Sequence, residues 1–161
     1  MPIESGRIVL VDKASDRGPP APDESELLRG PTPDEPYGGW NLTMPDGNLQ
    51  PVAAPSPNTA RTYLAAPRAS AAACKEVREA AATRKIAVLT EEPQRVRDAD
   101  GLYAETTYRL SMPVASPTGD EALMATESVS GLLAGGGMIF LLRRDAAGQW
   151  QVAGMKTLWV S

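Results

Sequence analysis

The chain has 161 residues, a net charge of −4, no histidine and a single cysteine. One cysteine excludes an intramolecular disulfide and a cysteine-built zinc site, and it fits a reducing compartment. Residues 1–57 hold nine acidic and four basic side chains, so that segment carries −5 and the remainder +1, and neither shows the basic excess of a nucleic-acid binder.

Twelve of the fifteen prolines fall in the first 67 residues. Residues 1–57 therefore read as an extended, acidic, proline-rich arm, and residues 58–161 as one small domain. Met1–Arg7 lacks the apolar core of a signal peptide, which points to the cytoplasm or a virion. A chain whose leader had been cut away would instead be periplasmic. Within the arm, Ile8–Val11 is one apolar run suited to a strand. The prolines that follow fix φ and remove backbone donors, favouring polyproline II and turns. Between them stand isolated apolar anchors: Leu27, Leu28, Tyr37, Trp40, Leu42 and Met44. Spaced anchors on an extended segment suit wrapping over a partner, so these six residues are the candidate partner-binding set.

From residue 58 onward the periodicity sharpens. Asn58 or Thr59 is placed to cap a short helix ending before Pro67. Ser70 is placed to cap a second, residues 71–84, with Ala73, Cys74, Val77, Ala80 and Ala81 on one face. After Lys85 the period becomes two. The predicted strands are 86–96, 102–114, 122–133, 138–144 and 149–160. In the second strand Thr106, Tyr108, Leu110 and Met112 face one way, and Glu105, Thr107, Arg109 and Ser111 the other. The expected fold class is α+β: an N-terminal helix packed on a four- to five-stranded antiparallel meander, preceded by the arm.

The closing stretch runs from Met138-Ile-Phe-Leu-Leu through Arg143-Arg144 and a Gly148 turn to Trp150-Gln-Val and Met155. It resembles the last hairpin of NTF2-like domains, and a helix on a meander is equally cystatin-like. The resemblance implies a cavity between helix and curved sheet, but the His/Asp/Tyr pocket of NTF2-like enzymes has no counterpart without histidine.

Candidate chemistry is sparse. Cys74 on an apolar helix face reads as a small buried hydrophobe, with no histidine to activate it. Asp98, Asp100 and Glu105 lack the spacing of a calcium loop. Gly135–Gly137 lacks the Lys-Ser/Thr of a phosphate-cradling loop. Arg143 and Arg144 read as a solvated strand end, and Glu91–Glu92 as a strand-end charge pair. Arg109, Tyr103 and Trp159 fall by register on a face opposite the core. No catalytic residue, metal ligand or cofactor motif emerges, and no stretch is apolar enough to span a membrane. The expectation is a non-enzymatic structural or interaction protein, an accessory subunit of a virion or multi-protein complex, docking through its arm on a partner with a basic surface. The alternatives are an NTF2-like small-molecule-binding or hydrolytic domain and a bacterial immunity-type or periplasmic binding protein.

Overall fold

The computed structural model describes residues 7–14, 21–35, 38–94, 105–131 and 134–161. In chain order they form β1 (Arg7–Val11), α1 (Glu24–Leu28), β2 (Asn41–Thr43), β3 (Leu49–Pro51), α2 (Pro57–Ala65), a 3-10 turn (Ala71–Ala73), α3 (Lys75–Thr83), β4 (Ala87–Leu89), β5 (Glu105–Leu110), β6 (Val114–Ala115), β7 (Glu121–Val129), β8 (Gly135–Arg144) and β9 (Trp150–Val160). The strands make one mixed sheet in the order β3-β2-β9-β8-β7-β5-β1-β4, with β6 paired to β7.

β5, β7, β8 and β9 run antiparallel in that order, but the first predicted strand, 86–96, holds only β4 among the described residues and pairs in parallel with β1, so the expected α+β architecture of a helix on an antiparallel meander does not hold. The proline-rich segment supplies strands to both flanks of that meander. β1 inserts between β4 and β5, parallel to each. The β2–β3 hairpin lies along β9, with Asn41 opposite Met155. The physical cause is edge pairing: a bare meander would leave the backbone groups of β5 and β9 open. The result is a large mixed sheet with short helices, rather than a helix on a small antiparallel sheet.

The main core lies on one face. Leu123, Ala125, Ile139 and Leu141 from β7 and β8 pack there against Ala60 and Tyr63 of α2, Leu27 of α1 and Trp40. Helix α1 forms because the Asp23 carboxylate accepts from the Glu26 N–H at 2.8 Å. Helix α2 starts at Pro57, where the missing N–H costs nothing, and Ser56 caps it. Ser56 is also tied to the sheet. Its N–H donates to Glu121 at 3.2 Å, while Arg143 donates to Glu121 and to the carbonyl of Ala54. Arg143 therefore joins the sheet to the α2 entrance and is not a solvated strand end.

Other boundaries shift too. The predicted helix over 71–84 breaks at Cys74, which sits in extended conformation as the cap of α3. Cys74 is half-buried, with its thiol 3.1 Å from the Met112 sulfur. The long predicted second strand shortens to β5 plus the separate β6. Tyr103, Asp98 and Asp100 lie outside the described residues.

Candidate functional site

Register along the sheet sorts its side chains onto two faces. Leu123, Ala125, Glu127, Gly137, Ile139, Leu141, Arg109 and Lys156 share the face covered by α1 and α2. The opposite face carries Ile8 and Leu10 from β1, Tyr108 and Leu110 from β5, Met124 and Thr126 from β7, Met138, Phe140 and Leu142 from β8, and Val152, Met155 and Trp150 from β9. Among the described residues, α3 shelters its β1–β5 end. There a groove of about 320 Å³ is lined by Ile8, Leu10, Val77, Ala80, Tyr108 and Leu110, with Arg84 at its rim. Arg84 also donates to the carbonyl of Ala80 at 3.3 Å, capping its own helix.

Beyond the groove the face is open. Among the described residues no helix packs over its β7–β9 half. Met124, Met138, Phe140, Leu142 and Met155 are half-buried there, and Trp150 and Val152 are 39% and 46% exposed. Strand β8 is thus apolar on both faces. An antiparallel strand with one wet face ordinarily alternates apolar and polar residues, and a continuous apolar run belongs to a strand covered on both sides. The formal charge on this half comes from Arg144, whose guanidinium lies 4.7 Å from the Trp150 ring centre.

The core-side face holds a polar row instead. Arg109, Glu127, Gly137 and Trp159 are consecutive cross-strand neighbours. The Trp159 ring lies flat over Gly137, where any larger side chain would collide with the indole. Its Nε1 finds no hydrogen-bond acceptor among the described residues. Arg109 donates through Nε to Glu92 at 2.9 Å and faces the buried Glu127 at 3.5 Å. Arg109 thus bridges the two carboxylates, and the cluster fastens the segment around Glu92 onto the sheet. Sequence register brought Arg109 and Trp159 together correctly but placed them away from the core; they lie on the core face.

Lys156 was not singled out from sequence. It is 2% exposed, opposite Ile139, and its ammonium donates to the carbonyl of Gly38. Burial, together with the nearby Arg29 charge, lowers its pKa below that of a free lysine, while Glu26 and Glu35 oppose the shift. Asp23 caps α1, and Asp46, Asp120 and Asp145 sit in turns; all four are exposed. Their pKa values are held below the usual carboxylate range by hydrogen bonds, chiefly from the Glu26, Asn48 and Gln149 N–H groups and, for Asp120, the Thr118 hydroxyl. They fix the cap and the turns.

The proposed anchors divide. Leu27 and Trp40 are wholly buried in the chain's own core, where the Trp40 indole donates to the Leu27 carbonyl at 2.7 Å. Leu28, Leu42 and Met44 are half-buried, and Tyr37 lies outside the described residues. Glu105, the described member of the sequence trio Asp98, Asp100 and Glu105, faces Arg7 at 3.5 Å. Among the described residues no cluster of His, Cys, Asp or Glu has the makings of a metal site, and no helix is long and apolar enough to cross a membrane.

No protein-family model matches the chain, and neither curated proteins nor solved structures give a match.

Proposed function

We propose that the protein is a non-enzymatic structural or interaction protein, a subunit of a larger assembly that docks through the open apolar face of its sheet. The observation that supports this reading is the two-sided apolar character of β8: Ile139 and Leu141 enter the core, while Met138, Phe140 and Leu142 face outward with Met124 and Met155. An exposed apolar patch of this extent marks an interaction surface. Leu27 and Trp40 are spent on the chain's own core, which moves the docking surface from the proline-rich segment to the sheet.

Oxidative footprinting tests the reading, because thioether oxidation follows exposure. Met124, Met138 and Met155 are expected to oxidise readily in the dilute, isolated chain and to be shielded in the native assembly. Equal oxidation in both refutes the proposal.

The groove beneath α3 favours a second reading, a small-molecule-binding protein. Its apolar lining and single cation suit an alkyl chain with an anionic end, and its volume sits at the small end of ligand pockets. Saturable binding of a fluorescent alkyl carboxylate, weakened by Arg84→Glu, would support it; no binding removes it.

A further inference from the structure

We infer that α3 is a lid over the groove beneath it, and that it closes on an alkyl carboxylate of medium chain length. The inference rests on reading that groove as a small-molecule site, and it adds the ligand's length, its direction and the motion it causes.

Helix α3 is thinly held. A helix packed on a sheet ordinarily buries its apolar stripe. In α3 the one buried residue is Ala81. Val77 and Ala80, a turn apart on the side that lines the groove, are respectively half-buried and exposed. The room this stripe would otherwise fill is the groove of about 320 Å³. Its floor is uncovered in turn, with Ile8 46% exposed and Tyr108 and Leu110 half-buried. None of the groove's lining belongs to the main core cluster. Among the described residues, the side-chain ties of α3 and its cap to other elements are the Arg78–Asp12 ion pair at 2.7 Å and the contact of the Cys74 thiol with the Met112 sulfur. The ion pair is partly exposed and therefore weak. Backbone breaks bound the helix. Cys74 is extended at its start, and Lys85 at its end has a φ of 57°, a left-handed angle uncommon outside glycine. Such element-terminal positions are where a hinge takes up its dihedral change.

The ligand follows from the lining. An apolar groove calls for a hydrocarbon body. A methylene takes about the room of a water molecule, about 30 Å³, so the groove holds about ten carbons. The contacts at the start of α3 lie over the ends of β1 and β5, because Asp12 follows the one strand and Met112 the other. Arg84, at the far end of the helix, therefore marks the opposite mouth of the groove. One N–H of its guanidinium donates to the Ala80 carbonyl, and others are left for a carboxylate. Lys85, next in the chain, adds to the positive potential there. The carboxylate thus lies at Arg84 and the methyl end toward Leu110. Filling the groove covers Val77, Ala80, Ile8 and Tyr108 together and draws α3 onto the sheet. The open lid offers no such contact, which gives the ligand the differential affinity that a conformational shift requires.

Hydrogen exchange of the full chain, with and without decanoate, tests the lid. In the free chain the amides of α3 are expected to exchange ahead of those of β8. Decanoate at about ten times its Kd, measured by calorimetry, should slow them about tenfold. Decanol should bind more weakly than decanoate, and Arg84→Gln should erase that preference. Ala80→Leu fills the groove from the helix side, so it should protect α3 without ligand and weaken decanoate binding at least about tenfold. Decanoate that binds while α3 exchange stays unchanged, or a free chain whose α3 is as protected as β8, overturns the lid and leaves the small-molecule reading standing. Equal affinity for decanoate and decanol overturns the carboxylate. A chain that binds neither loses the small-molecule reading and the inference with it.

Discussion

Replacing Trp40 with alanine tests whether the proline-rich segment is part of the folded core. Trp40 is completely buried against Leu27, Ala60 and Tyr63, and its indole N–H is satisfied by the Leu27 carbonyl at 2.7 Å. A tryptophan buries up to about 250 Å², and truncation to alanine exposes or empties about 150 Å² of that. At about 25 cal/mol per Å² this is about 4 kcal/mol. The lost hydrogen bond adds about 1 kcal/mol, since the Leu27 carbonyl is left buried. The sum, about 4–5 kcal/mol, agrees with the usual cost of deleting a core aromatic. It is a large share of the stability of a typical domain and should lower Tm by about 10–15 °C for a chain of this length. Trp40→Phe keeps most of the apolar area and should cost about half as much. Urea or thermal melts of the full chain measure both. The two neighbouring glycines add a geometric check. A Cβ on Gly39 would sit 2.3 to 2.8 Å from the Gly30–Pro31 backbone, so Gly39→Ala must displace the loop that seats the tryptophan. If Trp40→Ala costs under about 1 kcal/mol, far below the normal core range, the tryptophan is not in the core and the reasoning fails.

Two more predictions concern the same segment. A fragment beginning at Pro57 loses β1, α1 and the β2–β3 hairpin, which exposes both flanks of the meander and empties the Trp40 site; it should lack a cooperative melt, and a sharp transition in circular dichroism would contradict this. Lys156→Met should stabilise the chain at neutral pH by about 1 kcal/mol, because it removes the cost of burying a charge and gives up one hydrogen bond to Gly38. The folded pKa lies below the unfolded one, so between the two the unfolded chain binds more protons and wild-type stability rises with pH. The advantage of Lys156→Met should therefore shrink as pH approaches 10.5, and an advantage that grows with pH would contradict the assignment.

The sequence made the meander legible because period-two alternation survives in β5 and turn residues flank the final hairpin. It misled on which face of β5 is buried deepest. Tyr108 and Leu110 are the apolar members of the alternation, yet the main core lies on the other side, beside Thr107 and Ser111. The reason is tertiary. The α2 helix and Trp40 bring their apolar surface to β7 and β8, and β5 at the margin of that contact accommodates polar residues. The segment's strands were harder to see: β2 and β3 are three residues each, and the residue of β9 that ties β2 to the sheet lies more than a hundred positions away from it. Prolines rightly signalled turns but could not say whether the turns ended in solvent or on a sheet edge. Lys156 gave no local signal, since a lysine in an alternating strand ordinarily points to water.

The one deviation that local pattern did announce is β8. Met138 to Leu142 holds five consecutive apolar residues in an antiparallel strand, where one wet face would have favoured alternation. One face of that run is accounted for by α1, α2 and Trp40. The other is not accounted for within the described chain, although methionines and a phenylalanine stand there at half exposure. Selection against aggregation acts on such faces unless something covers them, and the sheet's two outermost strands, β3 and β4, are only three residues long, which already limits growth edge to edge. On the proposed reading, such a fold, with guarded edges and an apolar face, associates through that face. Placing charge at Phe140 alone should therefore raise solubility at high concentration while leaving the melting temperature within a few degrees, because the side chain is absent from the core cluster. A drop in Tm on the scale expected for Trp40→Ala would mean that this face belongs to the monomer's own core.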